Sequence, residues 1–157
     1  MHVRVDHAAD AVYLNLTDRG CHKQVFAMAK RVLNPSSFKV RGSYSPGWEV
    51  SNGRMIFVAG QVPWNADGQT VCKGDPAGQA RQVLENIRTI LAEAGATLDD
   101  VIKVTIFLAD IRHRDAINKV RSETFKPPYP ASTQVAVAAL VDPDWLVEIE
   151  AVAFVAE

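Results

Sequence analysis

Two carboxylates stand two residues apart near the end of the chain, in Leu146-Val-Glu-Ile-Glu-Ala-Val-Ala-Phe154. β-Branched Val147, Ile149 and Val152 mark this run as a strand, and alternate side chains of a strand share a face. Val147, Ile149, Ala151 and Ala153 then form a core face, and Leu146, Glu148, Glu150, Val152 and Phe154 form the other. The rise of a strand sets the two carboxylates ~7 Å apart. Such a pair makes either a solvated strand face or a cleft carboxylate that activates water or moves a proton.

Other chemistries find little support. The four histidines, His2, His7, His22 and His113, are scattered, and Cys21-His22 has no third or fourth ligand nearby, so a metal site is not expected. The chain has no Gly-x-Gly-x-x-Gly and no Gly-Lys-Ser/Thr loop to cradle phosphate. A net charge of −1 argues against nucleic acid as the main partner, since phosphate contacts need clustered Lys and Arg. No apolar run is long enough to cross a membrane, and residues 1–6 lack a signal-like apolar stretch. Cys21 and Cys72 form no Cys-x-x-Cys, which predicts reduced thiols in a cytoplasmic protein, with Cys72 an incidental thiol in a polar loop.

The elements that must position Glu148 follow from periodicity. The 157 residues, 48% apolar and 22% charged, suit one domain with a sizeable core. Residues 3–16 read as a hairpin, and 1–27 as an extension ahead of a domain spanning 28–157. Asn52-Gly53 predicts a hairpin between Trp48–Val50 and the apolar run Met55–Ala59, itself read as a strand buried on both faces. Gly60 ends that run, where a glycine either punctuates a turn or lets a ligand or another backbone approach. Asp75, Pro76 and Gly95 bound a helix whose apolar stripe is Ala80, Val83, Leu84, Ile87, Leu91 and Ala94. Val101–Leu108 reads as a strand, with Ile102, Val104, Ile106 and Leu108 facing one way. A second helix covers roughly Arg112–Phe125, Lys126–Pro130 runs extended, and Gln134–Leu140 reads as a weakly alternating strand. Strands alternating with amphipathic helices imply an α+β domain with both helices on one face of a mixed sheet. The other face, carrying Phe107, Val152 and Phe154, needs a cover, and a second copy of the chain is the natural one.

Ordered pieces over residues 34–155 resemble the Rid family, the reactive intermediate deaminases also called YjgF or L-PSP endoribonuclease-like proteins. They include Gly42-Ser-Tyr44, Phe57-Val-Ala-Gly-Gln-Val-Pro63, Gln79-Ala-Arg-Gln82 with Asn86, Asn118, Tyr129-Pro-Ala131 and Val147–Ala153. The resemblance implies a chorismate-mutase-like α+β fold and a barrel-centred homotrimer with clefts between subunits. It also implies a small-molecule metabolite as partner, hydrolysis of enamines or imines to ketoacids and ammonia, and no cofactor. Glu148 matches the family's water-orienting carboxylate, and Tyr44, Gly60 and Asn118 match other cleft positions. In deaminating members, Pro-Ala-Arg-Ser opens the penultimate strand, and its arginine holds the substrate carboxylate. Here the motif is Pro130-Ala-Ser-Thr133, so Ser132 stands at the arginine position. A hydroxyl cannot replace a guanidinium fork.

Retention of Glu148 with loss of that arginine implies a hydrolase of altered specificity, with Ser132, Thr133 and Gln134 as its polar wall. Arg121 is not expected to substitute, because its helix turns an apolar side to the sheet. Two rivals stand beside this reading: a trimer that binds a metabolite without turnover, and a ribonuclease or translation inhibitor. Trp48, Trp64 and Trp145 flank the expected cleft, where Trp64 narrows the site or fills a subunit interface.

Overall fold

A computed structural model describes residues 29–37 and 39–157. The expected hairpin over 3–16 and the extension 1–27 lie outside these residues. In chain order the elements are β1 (Lys30–Leu33), β2 (Gly47–Val50), β3 (Gly53–Gln61), α1 (Pro76–Glu93), β4 (Val101–Leu108), α2 (Arg114–Thr124), β5 (Ala131–Ala136) and β6 (Val147–Ala156).

Helix α1 begins and ends where its capping residues dictate. The Ala77 N–H donates to the Asp75 carboxylate at 3.0 Å, Pro76 takes the first helical position, and Gly95 leaves the helix at φ +66°. Its stripe of Ala80, Val83, Leu84, Ile87 and Leu91 is buried against the sheet. Helix α2 adds Ile117 and Val120 to the same core. It is preceded by a tight turn, Ile111–His113, capped by Asp110. There the Arg112 N–H and guanidinium both donate to the Asp110 carboxylate. These bonds, the side-chain one foremost, hold the Asp110 carboxyl down at about 2.

The main sheet has the order β3-β6-β4-β5. β6 runs antiparallel to both neighbours, so β3 and β4 are mutually parallel and α1 is their crossover. β4 and β5 pair in parallel through α2. Val104, Ile106, Leu108, Val147, Ile149, Ala151 and Ala153 are buried beneath both helices, as alternation requires. This is the expected α+β arrangement with two helices on one face of a mixed sheet.

Several local expectations change. Asn52 does turn, at φ +56°, but no β2–β3 hairpin forms. β2 pairs with β1 in a separate two-stranded sheet, while β3 pairs with β6. Long-range pairing with the longer β6 therefore overrides the local turn signal. β3 lies at the sheet edge and is not buried on both faces; Phe57 is 76% exposed, and only Val58 of the run Met55–Ala59 is buried. The penultimate strand starts at Ala131 and stops at Ala136, because its partner β4 offers a ladder only from Lys103 to Leu108. An irregularity between Val101 and Lys103 buries both Val101 and Ile102, interrupting strict alternation. The chain bends at 127–128, where the Pro127–Pro128 peptide is cis, instead of running straight.

Candidate functional site

β6 places Glu148 and Glu150 on the sheet face opposite the helices, since Glu148 pairs with Phe107 and Glu150 with Thr105. On this open face Lys103 Nζ donates to the hydroxyls of Thr105 at 3.1 Å and Thr133 at 3.2 Å. Burial pushes the Lys103 amine below its ordinary value, and the Glu150 charge works against that shift. Glu148 is half-buried and forms no hydrogen bond or ion pair with any described residue. Its carboxylate lies directly over Gly60, across the β3–β6 pair, where a Cβ on residue 60 would overlap it. The ladder between these strands shifts register between Val58 and Gln61, which brings the Gly60 backbone under β6. Gly60 thus admits the carboxylate of its own chain.

On the helix face, Ser132 pairs with Val104 and Gln134 with Ile106, so both point toward α2. There they line a cleft of about 580 Å³ with Tyr44, Asn118 and Arg121. The Tyr44 loop is tied to this edge by the Ser45 N–H, which donates to the Pro130 carbonyl at 3.1 Å. Tyr44, Asn118 and Ser132 are therefore brought together in one cleft. Gly60 and Glu148 do not line this cleft; within one chain they form a separate group on the other face. Thr133 also leaves the expected polar wall, because alternation sends it to the open face with Lys103.

Arg121 is the residue that sequence reasoning misjudged. It lies four positions after Ile117, hence on the buried face of α2, and is 7% exposed. Its Nε and Nη1 atoms, Gln134 Nε2 and Asn118 Oδ1 are buried without a hydrogen-bond partner. Burial, first, and the nearby Arg114 charge push the Arg121 guanidinium down from its ordinary value, while Tyr129 works against them. An arginine nonetheless stays charged in a protein. Arg41, Arg114 and Lys119 also line the cleft, against the single carboxylate of Asp115, which Arg114 pairs at 3.2 Å.

Supports for the segments that carry Gly60 and Glu148 come from α1. The buried Gln79 amide donates to the Asp144 carbonyl at 2.8 Å and accepts from the Leu146 N–H at 2.7 Å, fixing the entry into β6. Asn86 Nδ2 donates to the Val62 and Trp64 carbonyls, each at 3.0 Å, bracing the chain just beyond Gly60. Trp64 packs edge-on against Trp145 at 5.4 Å between ring centroids and does not line the cleft. Cys72 is exposed. Among the described residues, no three His, Cys, Asp or Glu side chains are grouped to hold a metal, and no helix is long and apolar enough to cross a membrane.

This arrangement has known counterparts. The family model described as Endoribonuclease L-PSP matches residues 23–155. A RutC family protein of Pyrococcus abyssi is 43% identical over 128 residues, covering 81% of this chain and 98% of its own. The crystal structure of the Rid family protein YyfB from Yersinia pestis superposes with a TM-score of 0.75 at 34% identity, covering 82% of this chain and all of that one. RidA from an Antarctic Psychrobacter superposes with a TM-score of 0.61 at 33% identity, covering 74% of this chain and 92% of that one. A match of this extent, in sequence and in fold, makes the chain a member of the Rid family, also described as YjgF or endoribonuclease L-PSP.

Proposed function

We propose that the protein is a cytoplasmic small-molecule hydrolase that deaminates a reactive enamine or imine. Its site is a cleft completed between copies of the chain in a homotrimer. The observation that carries this reading is the Glu148 carboxylate, half-buried over Gly60 and unpaired among the described residues. A carboxylate with no structural partner is free to bind and move a proton.

Imine hydrolysis asks for little more. Glu148 takes a proton as water adds to the electrophilic carbon, giving a carbinolamine. It then returns a proton to the nitrogen, and the C–N bond breaks to release ammonia and a carbonyl compound. An enamine first takes a proton at carbon to become the imine. The groups that hold the substrate line the cleft: Tyr44, Asn118 and Ser132, at a volume that suits a metabolite. Because Ser132 and Glu148 occupy opposite faces of one sheet, the two groups meet only if a second copy presents its open face to the cleft. Exposed Phe57, Met55 and Val135 give that face the apolar surface of an interface.

The test generates 2-aminoacrylate and several 2-imino acids in situ and follows ketoacid release with the full chain and with Glu148→Gln. General acid–base help is worth about 10²–10⁴-fold, so the variant should lose a factor in that range while keeping its fold. No acceleration by the wild type would sink the hydrolase reading and leave a metabolite-binding protein. Salt-sensitive RNA binding would instead favour the ribonuclease reading, which a net charge of −1 does not support.

A further inference from the structure

The cleft holds an inconsistency that a ligand would remove. Arg121 is buried on α2, and two of its three guanidinium nitrogens have no partner. Among the described residues no carboxylate pairs with it; Asp115, the one acid of the cleft, is engaged by Arg114. Burying a cation without a counter-charge is costly, and folds keep such a group mainly where function supplies the missing charge. A second unpaired donor, Gln134 Nε2, enters the same cleft from the edge strand β5. Donors from two elements thus line one cleft, and among the described residues no hydrogen bond satisfies them.

We propose that Arg121 is the anion anchor of this cleft, and that the molecule bound there carries a carboxylate. This inference rests on the small-molecule reading of the same site and names the residue that would anchor its carboxylate. The guanidinium offers a planar pair of N–H donors to a carboxylate. Gln134 adds a donor, and Ser132 is a neighbouring hydroxyl on the same strand face. Positive charge on Arg41, Arg114 and Lys119 raises the local concentration of anions at the mouth. The free Asn118 Oδ1 accepts from the ligand, so the carboxylate-bearing molecule also presents an N–H or O–H. In the family pattern the guanidinium comes from the strand position that Ser132 holds here. In this chain it comes from the helix packed against that strand.

The test is a titration of the full-length protein with 2-oxobutanoate and with its neutral analogue 2-oxobutanamide, followed by calorimetry or NMR. The carboxylate should bind and the amide should bind at least tenfold more weakly. Arg121→Met should weaken carboxylate binding by about tenfold to a hundredfold, as expected for a hydrogen bond to a charged group, and leave amide binding unchanged. Arg121→Lys keeps the charge without the fork and should fall between. Removing an unpaired buried cation should maintain or raise thermal stability, so the Met variant is expected to fold. Equal affinity for acid and amide, an Arg121→Met variant that binds the acid like wild type, or no binding of the acid would each overturn the proposal. The last is also the result if a carboxylate of a second copy fills the cleft. Failure here is distinct from failure of the hydrolase reading. Imino-acid turnover untouched by Arg121→Met would remove the anchor and keep the enzyme. Arg121-dependent carboxylate binding without turnover would do the reverse.

Discussion

Ser132 and Glu148 stand on opposite faces of the same sheet, Ser132 beside Val104 toward the helices and Glu148 beside Phe107 toward the open side. One chain therefore cannot bring its own carboxylate to its own cleft. If they act together, each site draws on two copies, and complementation tests this directly. Glu148→Gln and Arg121→Met chains, each impaired alone, should regain activity when co-assembled, with about a quarter of the clefts carrying both intact groups by random pairing. Native mass spectrometry of differently tagged chains would confirm mixed oligomers. Mixed oligomers with no regained ketoacid release would count against a shared site.

The contact between Gly60 and Glu148 makes residue 60 sensitive in a particular way. Gly60→Ala places a methyl group where the carboxylate now lies, so Glu148 must swing away. A displacement on the order of 1 Å costs roughly a hundredfold in rate, and the loss should appear in kcat with a smaller change in KM. An alanine variant with full turnover would show that the carboxylate is not used where it sits.

Gln79 is predicted to matter without touching any ligand. Its buried amide satisfies the Asp144 carbonyl and the Leu146 N–H at the start of β6. Gln79→Leu is similar in volume but leaves both backbone groups unpaired, each costing about 1–3 kcal/mol. Denaturant unfolding should show that loss. Turnover should fall as well, because Glu148 lies two residues beyond the bond to Leu146. Unchanged stability would mean that water replaces the amide.

Asp110 gives a pH signature outside the site. Its folded carboxyl is held at about 2, below the ordinary carboxylate value, so the ionised form is the stabilised one. The contribution is complete above that ordinary value and is lost as pH falls through about 2. Melting temperatures of wild type and Asp110→Asn should therefore differ near pH 6 and converge between about pH 4 and about pH 2. A constant difference across that range would place the stabilisation elsewhere.

Much of the fold was readable because local rules and global packing agree there. Asp75, Pro76 and Gly95 bound α1 through capping chemistry that operates within a few residues. The alternation of Val147, Ile149, Ala151 and Ala153 identified a half-buried strand, and the same parity put Glu148 on the face away from the helices. Motif order along the chain likewise pointed to the family, and the comparisons bear that out.

What the chain alone could not convey depends on which elements meet across long separations. Asn52-Gly53 signals a hairpin, yet β3 finds its partner about a hundred residues later, because β6 offers a longer ladder. Ser132 and Thr133 are neighbours in sequence, but parallel pairing with β4 sends one to the cleft and the other to Lys103. Arg121 shares a helix face with Ile117, a spacing visible in the sequence; that this face meets the polar edge strand β5, where no acid waits, is a property of the packed molecule. Periodicity reports which side of an element is buried. Only the tertiary arrangement of elements reports what it is buried against, and at this site that difference separates a core position from a ligand anchor.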